Sequence, residues 1–246
     1  MVAKVQLSKE ESTLVMDPGW ILTKNSIMGK VGALFAALSG EMRESCKLIV
    51  SSDKGAASDK LQASSFKGPT SDKLQAASDK GMDKSGLQLA ANSLKLEAEG
   101  LPLNWDTPKI SRGENYKGLP WVVLDCPRAF GREDVLAIRT LFWWGHYFSV
   151  TLHLKGKYKD MYLPVIREHI HVLAGAGFHL SISDDEWRHE LDSHNYQPIV
   201  EGMDTTILDE RTFLKLSAKC GLDRWEEADS VLLELYGILI SLLGVC

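Results

Sequence analysis

The run Val135-Leu-Ala-Ile-Arg-Thr-Leu-Phe-Trp-Trp-Gly-His-Tyr-Phe-Ser-Val-Thr-Leu-His-Leu-Lys155 decides the fold. From Leu136 to Leu154 its even positions are Leu136, Ile138, Thr140, Phe142, Trp144, His146, Phe148, Val150, Leu152 and Leu154. That is the period-2 alternation of half-buried strands. Trp144-Gly145 breaks the run with a tight turn, so the segment predicts two antiparallel strands, about Val135 to Trp143 and His146 to Lys155. One face of this hairpin is greasy. The other carries Arg139, Trp143, Tyr147, Thr151 and His153, aromatic and polar together, and is the expected place for a site.

Working outward, Pro120 to Asp125 reads as a preceding strand and Phe178 to Ser183 as a following one, giving a sheet of about four strands. Pro108 to Gly118 reads as a loop from its Gly, Asn and Pro content. Tyr162 to Ala174 is expected to be a helix, and Ser183 with Glu186 matches a capping box opening another to about Ser193. Asp209 to Cys220 and Asp223 to Leu243 complete the expected helices, the last apolar on nearly every side. Near the N-terminus, Ser8 to Glu11 fits a capping box for a short helix ended by Asp17-Pro18-Gly19. Ile27, Met28, Val31, Leu34, Phe35, Leu38 and Met42 then form one stripe of a long helix from about Trp20 to Leu48.

The expected fold class is therefore α+β, an antiparallel sheet with N-terminal and C-terminal helices packed on its greasy face. Residues 1–50 form a helical segment packed with an α+β core at 101–246. Residues 51–100 differ: Ser-Asp-Lys recurs at Ser52, Ser58, Ser71 and Ser78, in a stretch poor in large apolar side chains. Too irregular for a solenoid, it reads as a low-complexity insertion whose composition cannot offset the entropy of ordering.

With 246 residues, 44% of them apolar, the chain is long enough for a packed core. A net charge of −5 gives no strong nucleic-acid signal. Cys46, Cys126, Cys220 and Cys246 form no Cys-x-x-Cys pair and read as reduced, mostly buried thiols. The first residues carry Lys4, Lys9, Glu10 and Glu11 without an apolar run, and Val231 to Val245 is shorter than a span of about 20 residues. A cytoplasmic protein without membrane contact is expected.

The motifs mostly exclude. His189 and His194 are five apart, about 140° around a helix, so the zincin spacing is missing. Gly113 to Gly118 echoes a phosphate loop, but Lys117 precedes the second glycine and no Ser or Thr follows it. No nucleophile elbow or catalytic-cysteine signature occurs, and neither a metal site nor a cofactor is expected. The loop with Lys109, Arg112, Asn115, Tyr116 and Lys117 suits an anionic or carboxylate-bearing ligand, unless it merely covers a sheet edge.

Trp20 to Asn25, Ile110 to Trp121, Ala137 to Thr140 and Phe142 to Leu154 resemble a family of uncharacterised bacterial proteins. The resemblance spans both sides of the insertion and implies one cytoplasmic unit; it carries no activity and no catalytic residue. Three functional readings follow. The first is binding of a small anionic ligand or a protein segment by Arg112, Tyr116, Lys117, Arg139, Trp143 and Tyr147. The second is an enzyme with His153 or His189 carrying a proton beside an arginine clamp. The third is self-assembly, as a homodimer joined through apolar helices.

Overall fold

The hairpin at 135–155 forms as its alternation predicts, and it sits at the middle of a larger sheet. In this computed structural model, residues 6–51 and 106–244 are described. The insertion read at 51–100 falls almost entirely outside them. Along the chain come α1 (Lys9–Met16), α2 (Pro18–Ser51), β1 (Lys109–Tyr116), β2 (Leu119–Phe130), β3 (Val135–Trp143) and β4 (Tyr147–Lys155). There follow α3 (Lys157–Glu168), α4 (Ile170–Gly175), β5 (His179–Ser181), β6 (Tyr196–Pro198), α5 (Ile207–Glu210), β7 (Phe213–Gly221), a 3-10 turn at Leu222–Glu227, and α6 (Ala228–Ser241). The fold is α+β, with an antiparallel sheet ordered β1-β2-β3-β4-β7-β5-β6.

Seven strands replace the expected four, and two of the three additions, β1 and β7, have a local cause. The segment read as a loop at 108–118 is the edge strand β1. Its polar residues alternate outward as Arg112 and Glu114, and Lys117 and Gly118, both at positive φ, make the two-residue turn into β2. The helix expected at 209–220 is mostly β7. There Leu214, Leu216, Ala218 and Cys220 alternate with Lys215 and Ser217, and a buried lysine masks the period when it is taken as solvated. No helix forms at 183–193. Ser183 and Asp185 instead accept bonds from backbone N–H groups two residues on, and Asp192 accepts from His194 and Asn195, so the segment folds as linked turns.

The even face of the sheet carries the main core. Val122, Leu124 and Cys126 from β2, Phe142 from β3, and Phe148, Val150, Leu152 and Leu154 from β4 pack with Val31, Phe35, Leu38 and Met42 of α2 and with Leu232 and Tyr236 of α6. The N-terminal and C-terminal helices thus share one face, as expected. The odd face is not solvated, however: Ser149, Thr151, His153, Lys215 and Ser217 are all buried. They lie on the side from which Lys215 and Tyr147 bond the 183–195 strap, so the strands are buried on both sides rather than half-buried. Among the described residues no helix is long and apolar enough to cross a membrane.

Candidate functional site

Between the odd face of β1 to β3 and the strap lies a cavity of about 680 Å³. Its floor can be derived from strand register. Lys109, Asp125 and Arg139 are aligned across three strands; Ser111, Val123 and Leu141 form the next row, and Gly113 and Trp121 the row beyond. An added Cβ on Gly113 would meet the Trp121 indole at 2.6 Å, so only glycine lets that ring lie against β1. In the other direction β2 has a bulge, with register slipping between Asp125 and Arg128 at the cis Cys126–Pro127 bond. The slip inverts the alternation, so Arg128 and Phe130 face the cavity along with Asp125. Tyr116, Glu186, Trp187 and His189 close the sides.

Arg139 grips Asp125 with two bonds, Nε to Oδ1 at 2.7 Å and a terminal nitrogen to Oδ2 at 3.0 Å. Its other terminal nitrogen lies 3.3 Å from His189 Nε2. A guanidinium can only donate, so Nε2 is the acceptor and the imidazole proton belongs on Nδ1. Burial, and then the charges of Lys215 and Arg139, hold His189 well below the usual histidine range. His153 is buried on β4 with Nε2 3.3 Å from Glu186 Oε2. Burial, with Lys215, Arg139 and Lys155 nearby, pushes it down to about 3. Both histidines are neutral at pH 7. Glu186 also takes a 3.1 Å bond from Lys155.

Side chains from the sheet also hold the strap through its backbone. Lys215 Nζ donates to the carbonyls of Glu186 and Arg188, at 3.0 and 2.5 Å. Tyr147 donates to the His189 carbonyl at 3.0 Å and accepts from the Leu191 N–H at 2.9 Å. Tyr116 donates to Glu190 and accepts from the His189 N–H at 3.0 Å. Burial raises Glu190, but the Tyr116 bond, backbone N–H bonds and Lys117 at 3.2 Å outweigh it and bring it to about 2.

Of the residues singled out from sequence, Lys109, Asn115, Tyr116, Arg139 and His189 line the cavity. Trp143 and Tyr147 sit beside it in a small apolar cluster with Val123 and Leu141, where Tyr147 serves the strap. Lys117 pairs with Glu190 at the rim, and His153 lies beneath the strap. Arg112 lies apart: exposed on β1, it is in register with Val122, whose side chain belongs to the helix-side core. Trp121, Asp125, Arg128, Glu186 and Trp187 were not anticipated as site residues. Asp125 and Arg139, opposite charges on adjacent predicted strands, were the one available signal. No family model, characterised protein or solved structure matches the chain, so the site must be interpreted from its own geometry.

Proposed function

We propose that the cavity binds a small organic anion with a flat apolar body. The observation that carries this reading is an imbalance at one end of the floor. Arg139 is neutralised by Asp125, whereas Lys109 and Arg128 have no carboxylate partner among the described residues. Among the described residues Arg128 donates through Nε, to the Thr107 carbonyl at 3.0 Å. Two uncompensated cations at the wall of a partly desolvated cavity favour a carboxylate or phosphate there. Trp121 against Gly113, with Val123 and Leu141, supplies a flat apolar surface for the rest of the molecule. The cavity volume suits such a ligand, since small-molecule sites typically span about 300 to 1,000 Å³.

Acid–base catalysis draws less support. A proton carrier works best with a pKa near the operating pH, and His153 and His189 are both pushed far below it while His189 Nε2 is occupied by Arg139. Self-assembly is favoured by one separate observation: Leu14, Val15 and Met16 of α1 and Leu22 of α2 are exposed on an N-terminal arm. Sedimentation of the purified chain tests it, a strict monomer ruling it out.

The binding reading is tested with aromatic carboxylates and their neutral amides, titrated against tryptophan fluorescence. The carboxylates are expected to bind at least about tenfold more tightly, and a Lys109→Ala, Arg128→Ala double variant to lose that preference while staying folded. Equal binding of acid and amide would overturn the reading.

A further inference from the structure

Behind the cavity floor, on the helix side of β2, two thiols face one another. Cys46 on α2 and Cys126 on β2 are 0% and 1% exposed, and their Sγ atoms are 3.6 Å apart. A disulfide needs about 2.05 Å, so the gap to be closed is about 1.5 Å, within reach of a small side-chain rotation. The Tyr236 hydroxyl, from α6, donates to the Met42 carbonyl at 3.2 Å and lies 3.3 Å from Cys46 Sγ. With its proton committed to Met42, the phenol oxygen accepts the Cys46 S–H, which leaves the Cys46 sulfur lone pairs towards Cys126. The thiol hydrogen bond from Cys126 holds Cys46 below the usual cysteine range, although burial opposes it. Cys220 provides a contrast within the same core: its Sγ bonds the Gly221 carbonyl at 3.7 Å and no other thiol is near it among the described residues.

Cysteine is common in cores simply as a small apolar residue. What sets this pair apart is sulfur-to-sulfur contact between elements distant in sequence, next to the β2 bulge. We propose that Cys46 and Cys126 form a reversible disulfide when the protein meets a hydroperoxide, bolting α2 to β2. Cys46 loses its proton and its thiolate attacks one peroxide oxygen. The O–O bond breaks, and the departing hydroxide takes up that proton, giving a sulfenic acid and water. The Cys126 sulfur then attacks the Cys46 sulfur, the S–O bond breaks, and the second hydroxide leaves as water with the Cys126 proton. Two thiols are oxidised by two electrons and one peroxide is reduced to two waters. A peroxide is small, so a brief local opening between α2 and β2 suffices to admit it.

The bond would close a covalent ring around residues 47–125, joining α2 to β2 whatever conformation the chain between them takes. A link closing so long a loop restricts the unfolded chain, so the oxidised protein melts higher.

The test is hydrogen peroxide treatment of the folded full-length chain, followed by alkylation and mass mapping without reduction. The expected product is a peptide pair joined through Cys46 and Cys126, two hydrogens lighter than the free peptides. It is reversed by dithiothreitol, accompanied by a melting temperature several degrees higher, and still formed by Cys220→Ser. Full alkylation of both thiols after peroxide, over-oxidation of Cys46 without a link, or a bond from either to Cys220 would each overturn the proposal. Mapping is done on the natural chain, so poor folding of Cys46→Ser or Cys126→Ser cannot obscure the result.

Discussion

Replacing Lys215 by methionine should remove a specific pH dependence from the stability of this protein. Lys215 is 1% exposed, with no carboxylate in direct contact among the described residues, and its Nζ is spent on two strap carbonyls. Burial, followed by the charge of Arg139, pushes it from 10.5 down to about 7, against smaller opposing effects of Asp185, Glu186 and Glu190. Between those two values the unfolded chain holds a proton that the folded chain does not, so stability rises with pH across that window. From pH 7 to 9 the gain works out at about 2 kcal/mol, or about 4 to 8 °C in melting temperature for a chain of this size. The range stops short of pH 10, where Tyr116, Tyr147 and Tyr196, all raised by burial, begin to contribute with the opposite sign. Lys215→Met leaves two strap carbonyls without a donor, at about 1 to 3 kcal/mol each, but that cost does not vary with pH. Thermal or urea unfolding of both proteins at pH 7, 8 and 9 therefore separates the effects. A natural-minus-variant difference that stays constant over those three points would refute the argument, because Lys215 would then titrate alike folded and unfolded.

Phe148, fully buried against Phe35, Phe142 and Trp225, should cost about 3 to 5 kcal/mol as alanine in urea unfolding. Thr151→Ala should cost about 1 to 3 kcal/mol rather than behave as a surface change, since it strips Ser217 of its 2.7 Å partner. Gly113→Ala should displace the Trp121 indole, shifting tryptophan emission and costing about 1 to 3 kcal/mol, while an unchanged spectrum would mean the ring does not rest on β1. Tyr147→Phe should speed hydrogen exchange at Leu191 and loosen the strap with little loss of global stability.

Much of the sheet was legible because its central hairpin obeys simple alternation: Leu136 to Leu154 placed the greasy face and the turn at Gly145 correctly. The flanking strands escaped for physical reasons. Edge strand β1 needs only one covered side, so its composition is that of a loop. Strand β7 hides a lysine in the interior, which composition reads as exposed. The strap imitates a capped helix because Ser183 and Asp185 stabilise turns and helix starts with the same side-chain chemistry. Within the cavity, Lys109, Asn115, Tyr116, Arg139 and His189 were accessible to pattern reading. Asp125 could be found only from its charge opposite Arg139, and Arg128 not at all, since the bulge shifts its parity. Trp121 depends on a bare backbone across the strand, which periodicity does not register.

Among the described residues the strand order β1 to β6 also leaves two open borders, and both are defended against pairing with another chain. At one border β1 displays Arg112 and Glu114 to solvent, so an incoming strand would have to strip water from charges before gaining backbone bonds. At the other, β6 is three residues long and ends in Pro198, which has no N–H to offer. Fibril-like stacking through the sheet is thereby discouraged in the native state. The same sheet with β1 detached would expose the edge of β2, where the apolar run Trp121-Val-Val-Leu124 lies between Pro120 and Pro127, so partial unfolding from that side is an aggregation hazard.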